Sequence, residues 1–212
     1  METHAIELIE GYTAPDPKTK RDVTHTSVTF GRRLTVKDLI DLDSDPQGQN
    51  PTQYQDLIRR KMITKFGGLT MPVSLNVLLS LDSIDREDLK SAADNFLNIS
   101  RGDRLTDFRE NHELKLAFGF VIDGTEYTVI KFGNRITGKD EVEADGYGNG
   151  AARRCFLIGR QIVQITTEDG SASIEGQVEL ETFFTLDAES INLLWVGAEL
   201  FRQSFRLKRK AL

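Results

Sequence analysis

The sequence predicts an α+β fold with two tandem related units, each a β-hairpin or small antiparallel sheet followed by helices. The first observation is an internal repeat: residues 26–38 return 102 positions later, at 128–140, with seven of thirteen residues identical. The second is that β-branched and polar residues alternate before this stretch, whereas apolar residues follow at helical spacing after it. A repeat of this length indicates a duplicated structural unit.

The chain length of 212 residues accommodates two units of about 100 residues each. We predict a first unit over residues 1–100, a linker over 101–111 and a second unit over 112–212 that ends in an amphipathic helix. The net charge of −6 argues against a general nucleic-acid binder. No apolar run approaches the roughly 20 residues that a membrane span needs. We therefore expect neither a membrane nor a nucleic acid as a direct partner.

In the first copy, the alternation from Val23 to Phe30 predicts a strand, which Gly31 ends. Thr35 is expected to cap the helix that follows, with Asp38 as the second residue of a capping box. This arrangement predicts a strand-to-helix turn at the centre of the repeated stretch.

Three further features continue the first copy. A helix is expected to start at Asn50-Pro51, because proline is tolerated at the first helical position, and to end at Gly67-Gly68. Asp85 is expected to cap the last helix of the unit, since a carboxylate stabilises the positive end of the helix dipole.

The second copy opens with a clearer hairpin signal. Residues 114–122 and 126–132 flank Asp123-Gly124, the pair that a type I′ turn favours. Phe156, Ile158, Ile162 and Ile165 predict the counterpart of the helix that starts at Asn50-Pro51, and a strand over residues 155–158 is the alternative.

The two copies are expected to diverge over Ser171 to Thr182, which is predicted to be extended where the first copy is predicted to be helical. Asp187 is expected to cap the last helix, whose apolar residues form one wide stripe.

One acidic segment resembles the start of a calcium-binding loop. Asp41, Asp43 and Asp45 have the required spacing, but Pro46 stands at the position of the turn glycine and Thr52 at that of the closing glutamate. We interpret the segment as a solvated acidic loop. A calcium-dependent module or enzyme that uses residues 41–45 remains the alternative from another functional class.

No other residue pattern indicates catalysis, a metal or a cofactor. The three histidines lack metal-ligand spacing. Cys155 lies in an apolar stretch and is interpreted as a buried, inert thiol. The acidic pairs Asp85/Glu87 and Asp187/Glu189 are interpreted as helix caps, because each lies at a predicted helix start. We therefore predict a protein that is not an enzyme.

The candidate contact residues combine the repeated arginines with the apolar and basic residues of the last helix. Arg33 and Arg135 occupy equivalent positions in the two copies; each either pairs with the nearby Asp38 or Asp140 or contacts a partner. The strands at 23–30 and 127–132 are a further candidate surface. The interface candidates are Arg33, Arg135, Trp195, Phe201, Phe205, Arg206, Lys208 and Arg209.

Two stretches carry a family resemblance: RLTVKDL at residues 33–39 and LDSIDREDL at residues 81–89. They resemble elements of tailed-bacteriophage tail assembly chaperones and of the related baseplate hub assembly proteins of contractile-tail phages. The resemblance extends over residues 23–97 and, less closely, over 114–200.

This resemblance implies a non-enzymatic structural component of a phage tail or baseplate, made in the host cytoplasm and located in the virion. Its partners would be other tail or baseplate proteins within a larger oligomeric assembly, and no cofactor is implied. A transient tail assembly chaperone, absent from the mature virion, remains the alternative.

Overall fold

The structure is a computed structural model that describes residues 3–101, 111–148 and 150–210, without the side chains of 98–101 and 205–210. The predicted α+β class is confirmed, since two antiparallel sheets are each followed by helices. The chain forms two compact units, the first comprising Met1–Leu34 and Leu42–Gly102 and the second Thr35–Asp41 and Asp103–Leu212. Residues 35–41 thus belong to the second unit, although the sequence suggested the first. The expected linker over 101–111 lies almost entirely outside the described residues.

The first unit contains a three-stranded sheet in the order β1-β2-β3. Its elements are β1 (His4–Pro15), β2 (Asp22–Phe30), a 3-10 helix (Pro46–Gln49), α2 (Pro51–Met62), β3 (Ile63–Phe66), α3 (Leu75–Leu79) and α4 (Ser83–Arg101). The helix α1 (Val36–Asp43) follows β2 in the chain, and all but its last two residues belong to the second unit.

The end of α2 differs from the prediction. The α2 helix begins at Pro51 as expected, and the Asn50 side chain accepts hydrogen bonds from the backbone at its N-terminus. It ends at Met62 and not at Gly67, because Ile63 and Phe66 are buried and pair with β2 in the sheet.

The second unit contains a four-stranded sheet in the order β4-β5-β6-β7. Its elements are β4 (Glu113–Ile122), β5 (Thr125–Phe132), α5 (Gly138–Asp145), α6 (Ala151–Gln161), β6 (Ile162–Thr166), β7 (Ser173–Glu175), a 3-10 helix (Leu180–Thr185) and α7 (Ala188–Lys210). The predicted hairpin turn is confirmed, since Asp123 and Gly124 both have positive φ, 49° and 78°. The extended segment predicted over Ser171 to Thr182 is confirmed only in part, because β7 covers Ser173–Glu175 but the last three residues of the segment belong to the 3-10 helix Leu180–Thr185.

The turn after the second strand follows the same backbone path in both units. The N–H groups of Gly31 and the next residue donate to the Met62 carbonyl, and those of Gly133 and the next residue donate to the Gln161 carbonyl, at 3.0–3.3 Å. A Cβ atom on either glycine would come within 2.9 Å of a side chain in the third strand. Each glycine is therefore required by a close approach, and the repeat is structural.

The correspondence between the units is not a single shift of 102 positions. Phe30 pairs with Ile63 in the first sheet, and Phe132 pairs with Ile162 in the second. The shift of 102 positions found for residues 26–38 would match Ile63 with Ile165, but the third strands are instead related by 99 positions. The connections between the elements differ in length in the two units, so the number of positions that separates equivalent residues differs along the chain. Differences in loop length cost little free energy.

The last helices of the units bury equivalent faces at a shift of 105 positions. Phe96 stacks on Phe30 with ring centroids 6.2 Å apart at 27°, and Phe201 stacks on Phe132 at 6.1 Å and 28°. The buried residues Leu89 and Ala93 of α4 correspond in the same way to Leu194 and Ala198 of α7. The two cores are therefore built on one plan.

The capping box predicted at the start of α1 is confirmed. The Thr35 hydroxyl accepts from the Asp38 N–H at 3.2 Å, and the Asp38 carboxylate accepts from the Thr35 N–H at 3.1 Å. Thr137 and Asp140 form the same box at the start of α5. These contacts satisfy N–H groups that a helix start leaves without intrahelical partners.

The cap predicted for α7 is confirmed, since the Asp187 carboxylate accepts from the Ser190 N–H at 2.7 Å. The cap predicted for α4 is wrong. Asp82 caps that helix by accepting from the N–H groups of Ile84 and Asp85 at 2.6 and 3.1 Å.

Asp85 instead joins α4 to the first sheet. Its buried carboxylate accepts three backbone hydrogen bonds from the irregular part of β1, from the N–H groups of Ile9, Glu10 and Gly11 at 2.6, 3.1 and 2.6 Å. In the second unit Ser190 holds the equivalent position, and its hydroxyl donates to the Phe118 carbonyl of β4 at 3.0 Å. Both contacts fix the last helix on the irregular segment of the first strand.

Candidate interaction surface

The last helix does not present its whole apolar stripe to solvent. Phe201, predicted as a partner contact, is 1% exposed and lies in the core between Phe132 and His112. It is therefore a core residue, and that prediction is wrong. It falls on the buried face because it follows Leu194 and Ala198 at helical spacing. The side chains of Phe205, Arg206, Lys208 and Arg209 lie outside the described part of the chain.

Trp195 is half-buried at the edge of the core, and two guanidinium groups lie near its ring. The Arg202 guanidinium lies 5.0 Å from the ring centroid, and that of Arg154 lies 6.0 Å from it. Arg202 is held in place by Glu199, one turn before it, at 2.5 Å. Cations at this distance are attracted by the ring face, so the indole and the two arginines form one ordered group.

A second aromatic pair adjoins this group. Tyr147 stacks on Phe156 with centroids 5.0 Å apart, and the Arg160 guanidinium lies 4.7 Å from the Phe156 ring. Phe156 belongs to a small buried cluster against which Trp195 also packs. Tyr147 is 41% exposed, so this cluster carries an aromatic ring that solvent reaches.

The neighbouring face of α7 exposes apolar side chains. Val196 is 44% and Leu200 is 42% exposed, and their spacing of four residues places them on one face. We call Tyr147, Arg154, Trp195, Val196, Leu200 and Arg202 the α7 surface. Only its tryptophan was predicted as a contact; Arg154 and Tyr147 are distant in sequence, and no sequence pattern identifies them.

The repeated arginines occupy similar places but differ in exposure. Arg33 is half-buried and Arg135 is exposed. Neither belongs to the α7 surface as defined here. Their roles as interface residues therefore stay predictions.

The acidic segment at 41–45 does not gather its carboxylates. Asp41 pairs with Lys37 at 3.6 Å, Asp43 accepts from the Tyr54 hydroxyl at 3.0 Å, and Asp45 accepts from the Gln47 N–H at 2.8 Å. Across the described residues, no group of three or more His, Cys, Asp or Glu side chains is placed to hold a metal ion. The calcium alternative thus has no geometric support here.

Cys155 is buried as predicted, with no exposed surface. Its burial raises the pKa of the thiol to about 12. The thiolate is the nucleophilic form of cysteine, so this side chain is unreactive in the folded protein at neutral pH.

Comparisons with known proteins leave the chain without an assigned relative. No protein-family model matches it, and neither a search of curated proteins nor one of solved structures found a match. Among the described helices, none is both long and apolar enough to cross a membrane.

Proposed function

We propose that this protein is a non-enzymatic assembly protein that binds other proteins through the α7 surface. The observation that supports this most is Trp195, which is half-buried and in contact with Arg154 and Arg202 on a helix that also exposes two aliphatic side chains. Tryptophan, tyrosine and arginine are the residues that most often dominate binding energy at protein interfaces. Here they are pre-ordered by contacts within one unit, which lowers the entropy lost on binding.

The partner class comes from the resemblance at residues 33–39 and 81–89. It supports tail or baseplate proteins of a tailed phage as partners, and a location in the virion. Within this class, a permanent structural component is the main proposal and a transient tail assembly chaperone is the alternative.

The surface is tested by replacing Val196 and Leu200 together with glutamate. Both side chains are more than two fifths exposed, so the fold should persist while a buried carboxylate in the interface opposes binding. Val121→Glu is the matched control, because Val121 is 48% exposed on β4 of the same unit. The readout is co-purification of tail proteins with the tagged chain from infected cells.

We expect the double variant to lose these partners and the control to keep them. Unchanged co-purification by a folded double variant would overturn the role of the α7 surface. Mass spectrometry of purified virions then separates the two roles: peptides of this chain in mature particles indicate a permanent component. Their absence, together with partners during infection, indicates the chaperone; no tail partner at any stage would contradict both.

A further inference from the structure

The third strand of each sheet has a different neighbour on its outer edge in the two units. In the second unit β7 pairs with β6, with Ile165 opposite Ile174. In the first unit β3 is the last strand of its sheet, and no strand in the described part of the chain pairs with its outer edge. An uncovered edge presents backbone groups that can pair with another chain.

The difference arises from six residues. Phe66 and Val73 of the first unit correspond to Ile165 and Val178 of the second, so the connection between them is seven positions long in one and thirteen in the other. The second unit uses the longer connection for β7. The first unit lacks these six residues, and in the described part of the chain no strand lies beside β3 on the side where β7 lies beside β6.

Just after β7, the chain of the second unit also approaches the end of α6 closely. The Val178 N–H donates to the Gly159 carbonyl at 3.3 Å, and a Cβ on Gly159 would lie 2.1 Å from the Val178 carbonyl oxygen. In the first unit the residue equivalent to Gly159 is Arg60. Its side chain lines a cavity of about 520 Å³ beside the start of β3. The other residues that line this cavity are Arg32, Asp45, Lys61, Ile63, Met71 and Pro72.

The charges at this place favour an acidic occupant. In the second unit the Glu175 carboxylate accepts from Gln164 at 2.5 Å, and the Gln177 side chain accepts from Arg160. The first-unit residues equivalent to Gln164 and Arg160 are Lys65 and Lys61, so both positions are cationic. Three of the seven cavity-lining residues are basic and one is acidic.

We propose that the outer edge of β3 and the adjoining cavity bind an extended acidic segment of a partner protein, which adds to the first sheet as β7 does to the second. The backbone of the segment pairs with β3, and its carboxylates meet Lys61 and Lys65. Strand addition of this kind obtains affinity from main-chain hydrogen bonds and specificity from side-chain contacts. The site goes beyond the proposed function, because it lies in the first unit and uses none of the α7 surface.

The test uses the full chain and two synthetic nonapeptides based on residues 171–179. The acidic peptide, SASIEGEVE, keeps Glu175 and carries Gln177→Glu; the reference peptide, SASIQGQVE, carries Glu175→Gln. Each surface ion pair is worth up to about a fivefold change in affinity. We expect the acidic peptide to bind roughly tenfold more tightly by fluorescence anisotropy at low salt.

Variants of the chain test whether the tighter binding of the acidic peptide depends on the proposed site. Lys61→Gln with Lys65→Gln should abolish the difference between the peptides, while the control Lys90→Gln, an exposed lysine on α4, should keep it. Hydrogen exchange of the wild-type complex should show new protection in β3. Val196→Glu with Leu200→Glu should bind the acidic peptide normally, so this test is independent of the α7 surface.

Equal affinity for the two peptides would overturn the proposal, as would protection outside β3. Inorganic phosphate and a short oligothymidylate form a further arm, because a basic cavity also attracts phosphate groups. Binding of either through Lys61 and Lys65, without binding of the acidic peptide, would replace the proposed segment with a phosphate ligand.

Discussion

The two units fill the same three positions with different chemistry, charged residues in the first and apolar residues in the second. In the first, the buried Asp56 carboxylate lies 2.6 Å from Arg59 on α2 and 2.6 Å from Arg86 on α4. In the second, the three equivalent positions hold buried Cys155, Ile158 and Ile191. An ion cluster and an apolar cluster thus join the same pair of helices.

This difference shows that the three positions act as a set. A buried ion pair is costly to leave half-broken, yet replacing the whole pair by apolar residues of similar volume is often neutral or stabilising. Single substitutions in the first unit should therefore be worse than replacement of the complete set. The same reasoning explains why pairwise identity between the copies is low here although the helices pack alike.

The largest expected effect comes from the aromatic stacks that the units have in common. Phe96→Ala and Phe201→Ala each remove a buried ring from an equivalent place, so each should lower the free energy of unfolding by about 3–5 kcal/mol. Denaturant unfolding followed by circular dichroism measures both. Trp195, the single tryptophan, reports on the second unit by its fluorescence.

Phe96→Leu and Phe201→Leu are the matched controls and should cost clearly less. A cost below about 1 kcal/mol for only one of the alanine variants would show that the two rings are not equivalent in the core.

A smaller and unequal effect is expected where the last helix meets the first strand. Asp85→Ala leaves three N–H groups of β1 without their carboxylate, whereas Ser190→Ala removes one hydrogen bond to a carbonyl. We expect losses of about 3 kcal/mol and about 1 kcal/mol, since an unsatisfied buried donor costs more than a lost neutral bond. Chemical denaturation of both variants measures the difference, and equal losses would contradict the proposed role of Asp85.

The smallest effect is expected at the two capping boxes. Thr35→Ala and Thr137→Ala should each cost about 1 kcal/mol at pH 7. The hydrogen bonds from the Thr137 hydroxyl and N–H hold the pKa of Asp140 below its usual value of 3.8. The stabilisation is therefore complete above that value and is lost as the pH falls through the lowered pKa of the folded state.

Unfolding of wild type and Thr137→Ala from pH 7 to pH 2 measures this dependence. The gap in stability between them should shrink below about pH 4. A gap that stays constant over this range would show that Asp140 does not take part in the cap.

The sequence correctly predicted the features that depend on residues close together in the chain. Asp123-Gly124 predicted a turn with two positive φ values, and Thr35 with Asp38 predicted a capping box, because each depends on neighbours in the chain. The α+β class followed from the repeat and the change of period. These features needed no knowledge of the packing.

The features that were missed depend on contacts between distant residues. Residues 63–66 follow α2 without a break, and only pairing with β2 makes them a strand. Asp85 lies in the first turn of a helix and resembles a cap, but its partners are 74 to 76 positions away. The α7 surface joins Trp195 to Arg154, which the sequence separates by 41 residues.

The equivalence of the two units is tested most directly by replacing the ion cluster of the first unit with the apolar residues of the second. The triple variant Asp56→Cys, Arg59→Ile and Arg86→Ile gives the first unit the residues of the second, and Asp56→Ala is the single-site reference. We predict that the free energy of unfolding of the triple variant lies within about 1 kcal/mol of the wild-type value, whereas Asp56→Ala lowers it by about 3 kcal/mol or more. A triple variant as unstable as Asp56→Ala would contradict the equivalence of the two units.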